Sequence, residues 1–142
     1  MAKNFKTLIR IRKWALDEKR RELSDMQAAL DHLVAEKAEL ERAVIAEQKV
    51  AATDPELAGF AYGNFASAVI AEREVLTKRI HDQERAIESF RDVVADAFKE
   101  LKTIEISERN RIDAEQAEEN RKEQNDLDEI GARSATRKDD GI

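Results

Sequence analysis

Two sets of side chains, mostly apolar, recur every seven residues through the first part of the chain. One set is Ile9, Leu16, Leu23, Leu30, Lys37 and Val44; the other, three residues further on, is Phe5, Arg12, Lys19, Met26, Leu33 and Leu40. No Gly or Pro interrupts residues 1–52. These are the a and d positions of one helical seam, and such a helix buries its apolar edge only by pairing with another. After a break the pattern resumes. Val69, Leu76, Gln83, Phe90, Ala97 and Ile104 form one set, and Arg73, Ile80, Ile87, Val94 and Leu101 form the other.

The break is "TDPE", residues 53–56. Thr53 or Asp54 suits a helix N-cap and Pro55 suits a first turn, while Thr53 and Glu56 have the spacing of a capping box. Folding the chain back at residue 53 sets Phe5 against Leu101, Ile9 against Ala97, Leu16 against Phe90, Met26 against Ile80 and Leu30 against Leu76. Each a position then faces a d position. A slip of one heptad preserves both seams, so the register stays open by that step.

The fold read from this pattern is all-α: a two-helix antiparallel coiled-coil hairpin with a longer, overhanging second helix. Helix 1 is assigned to residues 3–52 and the paired part of helix 2 to 53–104. An acidic, unpaired helical extension follows at 105–130, then a disordered tail at 131–142. In the extension the seam decays: positions 108, 111, 115 and 118 are Glu, Arg, Glu and Glu. A lone charged helix of this length is only marginally stable in water.

Composition agrees. Charged residues make up 39% of the chain, and one Pro and four Gly leave long helices uninterrupted. Five Phe, one Trp and one Tyr are too few for a wide globular core. The absence of Cys removes a disulfide framework and a thiolate zinc site, and fits a reducing compartment. No uncharged stretch approaches the roughly 20 residues that span a bilayer, so no direct transmembrane insertion is expected.

Charge is unevenly placed. Residues 1–21 carry eight Lys or Arg against Asp17 and Glu18, in a chain whose net charge is −6. A cleaved presequence or a membrane-surface helix would also be basic at this end, but Asp17 and Glu18, with no small-residue cleavage site after them, count against a presequence. The seam positions of Arg12 and Lys19 point charge at the partner helix, while Ile11 and Trp14 fall on outer positions. One reading is that long basic stems snorkel out of the seam and Trp14 is an ordinary exposed aromatic. The other is a docking face, with Ile11 and Trp14 as apolar anchors and Lys6, Arg10, Lys13, Arg20 and Arg21 as steering charge.

The hairpin tip is a second candidate. Leu57, Phe60, Tyr62 and Phe65 fall within nine residues, beside Gly59 and Gly63. They either bind a partner or fold over the loop and close it. Catalysis is not indicated. His32 and His81 sit on outer faces, there is no HExxH motif and no GxxxxGK[ST] phosphate loop, and the abundant Glu pairs read as solvated helix faces. No enzyme activity, no metal and no cofactor are expected.

The opening stretch resembles the FliJ family of bacterial flagellar export. An F-x-x-L, a basic "IRK" and then "DEKRREL" precede a cysteine-free helical hairpin, the matching residues being Phe5, Leu8, Arg12, Lys13, Asp17, Glu18, Arg20, Arg21 and Leu23. The resemblance implies a stalk like that of rotary ATPases, non-catalytic and expected monomeric when free. It would be cytoplasmic and peripherally associated with the inner-membrane flagellar basal body. It implies three partners: the flagellar export ATPase hexamer, the membrane export gate protein and export chaperones. The ATPase-binding end would then be Lys6, Arg10, Arg12, Lys13, Trp14, Arg20 and Arg21. The gate- or chaperone-binding tip would be Leu57, Phe60, Tyr62, Phe65 and Val69. The aromatic residues that some members carry late in helix 1 are replaced here by Ile45 and Val50.

Three other readings stand beside this one. The first is a coiled-coil export chaperone, or the stalk of a virulence type III secretion system. The second is a self-associating coil, which Lys37, Arg73 and Gln83 in the seam would weaken. The third is a nucleic-acid binder, opposed by the acidic remainder of the chain and the lack of interleaved stacking aromatics, so no nucleic-acid partner is expected.

Overall fold

The computed structural model describes the backbone of residues 5–53 and 55–140, and their side chains except at 55, 57–61 and 138–140. Two helices make up the fold, α1 (Lys6–Thr53) and α2 (Pro55–Asp140), with no strand among the described residues. They pack antiparallel as a hairpin, and α2 is the longer. The chain divides into two compact units, Trp14–Phe98 and the pair Met1–Lys13 with Lys99–Ile142.

In the Trp14–Phe98 unit the two seams mate along their length. Leu16 on α1 and Val69, Leu76 and Ile87 on α2 are buried. The other seam positions are half-buried, with Arg73 the single exception. Removing each of the buried aliphatics from water stabilises the pair by about 1.5–3 kcal/mol. Two polar seam residues find partners on the facing helix. The Gln83 amide donates to the Met26 carbonyl at 3.0 Å, and Arg73 swings outward to within 3.8 Å of Glu41.

The register differs from a fold centred on residue 53. Gln83, not Ile80, bonds to Met26, and Tyr62 accepts from the Gln48 amide at 3.2 Å. Leu30 shares a groove with Glu84 and Ile87, well past Leu76. In the other unit Phe5 meets Glu108, seven residues beyond Leu101. The pairing is thus displaced by one heptad. The reason lies at the ends of the α2 seam. It begins at half-buried Tyr62 and Phe65, before Val69, and continues through buried Glu108 and half-buried Arg111, after Ile104. Thr53 is the last residue of α1, and its hydroxyl donates to the Val50 carbonyl at 2.6 Å. Pro55 already belongs to α2, and Asp54 lies outside the described residues. The centre of the pairing therefore lies past residue 53.

In the second unit, Phe5, Ile9 and Ile104 are half-buried, Leu101 and Glu108 are buried, and the Phe5 backbone meets Glu108. Arg12, at a seam position, is exposed and bonds to Glu100 at 3.0 Å, so its stem does snorkel out. Contact with α1 extends to Glu108, which meets Phe5, past the expected boundary at 104. From residue 112 to 137 every side chain is exposed, yet the helix runs on to Asp140, through residues 131–140 where a disordered tail was expected. No Pro stops it, and local pairs such as Glu118–Arg121 at 2.7 Å and Gln124–Asp128 at 3.2 Å line its surface.

Gly63 offers a direct test of the packing near the tip. It is helical, and a Cβ built there meets nothing within 4 Å. Replacement by Ala should stabilise the hairpin by about 0.5–1 kcal/mol through helix propensity alone. A higher urea midpoint checks this; a lower one would contradict the helical, uncrowded setting of Gly63.

Candidate functional site

The first candidate surface is the basic start of α1. The local sequence does not make this a comfortable helix end. Its first turn contains no acid, and Phe5, which precedes Lys6, is a poor cap. The positive end of the helix dipole therefore meets further positive charge from Lys6 and Arg10.

The compensation comes from α2. Glu108 is buried, at 6% exposure, and is the one buried charged side chain among the described residues. Arg111 grips its two oxygens, Nη2 at 2.7 Å and Nε at 3.1 Å, and extends its Nη1 to Glu115 at 2.8 Å. The Phe5 N–H donates to the same carboxylate. The Phe5 carbonyl then accepts the first α1 backbone bond, from Ile9 N–H at 2.8 Å. Glu108 thus brings a charge of α2 to the start of α1.

Hydrogen bonding by Arg111 is the largest influence on Glu108. Together with the charge of Arg111, the Phe5 N–H and Lys6, it holds the carboxyl below the ordinary value of 4.5, against the opposing effect of burial. A depressed folded-state pKa means the contribution is fully present above 4.5 and is lost as pH falls through the lowered value. Amide protection of Ile9–Lys13 should survive acidification to pH 4.5 and fail below it. Glu108→Gln should remove that step. Protection equal in both proteins down to about pH 2 would contradict the assignment.

The basic side chains are not equivalent. In the unit containing the α1 start, Lys6, Arg10 and Lys13 are exposed, whereas Arg12 is committed to Glu100. Leu8 and Ile11 are exposed beside them. In the Trp14–Phe98 unit, Trp14 is 66% exposed, Arg20 is exposed, and Arg21 bonds to Glu18 at 2.8 Å. Among the described residues no ion pair forms at Arg10, Lys13 or Arg20, so these three are the charges available to a partner.

At the tip the candidates separate. Val69 is buried in the seam, and Tyr62 and Phe65 are half-buried. The side chains of Leu57 and Phe60 lie outside the described residues. Tyr62, Phe65 and Val69 line a shallow groove with Val44, Gln48 and Ile70. Nearby Ile45, Val50, Ile70 and Val75 are each more than half exposed. Ile70 and Val75 escaped notice in the sequence because they are isolated off-seam aliphatics. Their signal is position: each adjoins a buried seam residue, Val69 and Leu76. His32 lies on an exposed face, its Nε2 at 3.0 Å from Glu36.

What this arrangement offers chemically is surface: charged and apolar faces on a paired helix scaffold, suited to binding other proteins. That class of protein, an all-α helical hairpin, has a specific family match here. The family model described as flagellar FliJ protein matches residues 1–140. The chain belongs to this family, a non-catalytic component of flagellar type III protein export. No curated protein and no solved structure matches the chain. No helix among the described residues is long and apolar enough to cross a membrane.

Proposed function

We propose that this chain is the coiled-coil stalk of the flagellar export apparatus. Its basic end binds the export ATPase ring and promotes ring assembly and turnover. Its tip links the ring to the membrane export gate protein and to export chaperones, at the cytoplasmic face of the basal body. The observation that carries this reading is the family match over residues 1–140, joined to an exposed set of uncommitted bases on α1. Arg10, Lys13 and Arg20 supply steering charge, and Ile11 and Trp14 supply apolar anchors. Arg12 contributes by holding α1 to α2 through Glu100. At the tip, Leu57, Phe60, Tyr62 and Phe65 remain the proposed contacts, and exposed Ile70 takes the place of buried Val69.

A stalk without catalytic groups acts through differential binding. It favours those ring conformations that it contacts best, and so shifts their populations. The match to the flagellar family supports this system over a virulence secretion stalk. The test is ATP hydrolysis by the cognate flagellar export ATPase, with and without the full chain. Increased turnover or ring assembly supports the proposal. A rate and oligomeric state unchanged at saturating chain would refute it.

A further inference from the structure

We infer that Glu108 is a positioning residue for the docking end: a cap supplied by α2 that keeps the first turns of α1 helical and seated. Its relevance to ATPase binding rests on the function proposed above; its role as a cap does not. Three observations converge. Glu108 sits at a seam position where Ile80, Ile87, Val94 and Leu101 precede it at heptad spacing, so an aliphatic residue is what pairing alone would select. It is buried there, with both oxygens held by Arg111. It also accepts from the Phe5 N–H, at the end of a helix whose own first turn supplies no acid. The charged groups facing it are Arg111 on its own helix and Lys6 on α1; Glu115 shares Arg111.

A seam filler and a cap respond oppositely to the same substitution. Leucine at position 108 continues the apolar line, so a residue that matters only for packing would be improved by it. A cap would be lost, and the α1 start would fray although the seam gained apolar area. Glutamine keeps a carbonyl acceptor for the Phe5 N–H while losing the charge that Arg111 grips.

The experiment is amide hydrogen exchange on the full chain at neutral pH, comparing wild type, Glu108→Leu and Glu108→Gln. In Glu108→Leu, exchange at Ile9–Lys13 should accelerate about tenfold while Leu76–Ile87 amides stay unchanged. Glu108→Gln should recover much of the lost protection. Unchanged or increased protection at Ile9–Lys13 in Glu108→Leu would overturn the inference. So would uniform loss along both helices, or equal behaviour of the two variants. Binding of the same proteins to the export ATPase forms a separate arm, in which Glu108→Leu should bind more weakly than Glu108→Gln. If wild type itself fails to bind, the proposed function falls, and the exchange data still decide the cap.

Discussion

Leu76→Ala should destabilise the hairpin by about 2–5 kcal/mol, whereas Val75→Ala, one residue away, should change stability by no more than about 0.5 kcal/mol. The two side chains belong to the same helix and are similarly apolar. They differ in environment: Leu76 is 2% exposed and Val75 is 52% exposed. Truncating Leu76 removes its transfer free energy and leaves a void that two paired helices close only partly. Truncating Val75 leaves no void, and the better helix propensity of Ala offsets the lost contacts. Urea unfolding followed by helical circular dichroism checks both. Equal effects would mean that the seam does not run where the structure places it. The contrast also guards against a general fragility of α2, which would lower the midpoint for both variants.

Arg10→Glu with Lys13→Glu should weaken binding to the export ATPase by about ten- to a hundredfold, chiefly by slowing association. Neither base forms an ion pair among the described residues, so their reversal leaves the hairpin's own bonds in place. Reversing Arg12 would be a poorer test. It breaks the 3.0 Å bridge to Glu100 and sets two carboxylates together, mixing lost docking with lost pairing. The wild-type affinity should also fall as salt rises, and the double variant should be less salt-sensitive. Binding measured by surface plasmon resonance across a salt series checks both points. Undiminished affinity in the double variant would remove the basic end from the interface.

Much of this architecture is written in the sequence as spacing. Leu16, Leu76, Ile87 and Leu101 fall at heptad intervals, and each is buried. What spacing could not decide was register. A seven-residue repeat matches itself after a slip of seven, and neither Lys37 nor Gln83 marks a unique partner in the sequence because a long flexible side chain reaches several positions on the facing helix. The deciding features were residues that looked like the end of the pattern. By sequence alone Tyr62 belongs to an aromatic tip, and Glu108 and Arg111 to a decaying seam. In the structure Tyr62 is half-buried and accepts from Gln48 across the hairpin, and Glu108 is buried beside Phe5. Arg111 pairs with Glu108, and the Phe5 backbone lies beside that carboxylate.

The candidate sites were legible to different degrees. Outward positions for Ile11 and Trp14 follow from helical geometry and appear as 55% and 66% exposure. Which bases are uncommitted is not contained in one helix, since Arg12 is engaged by Glu100 from the other. Val69 was proposed for the tip surface by resemblance, yet its heptad position made it a seam residue, and it is buried. Where the two arguments disagreed, periodicity described the environment of the side chain.

The central claim is that the two ends of this hairpin meet different proteins. The most direct measurement is photocrosslinking in the motile cell, with a crosslinking amino acid replacing Trp14 in one strain and Ile70 in another. Crosslinking of the Trp14 position to the export ATPase, and of the Ile70 position to the export gate or a chaperone, is the predicted result. Absence of the ATPase from the Trp14 products, or the same partner at both positions, would contradict it.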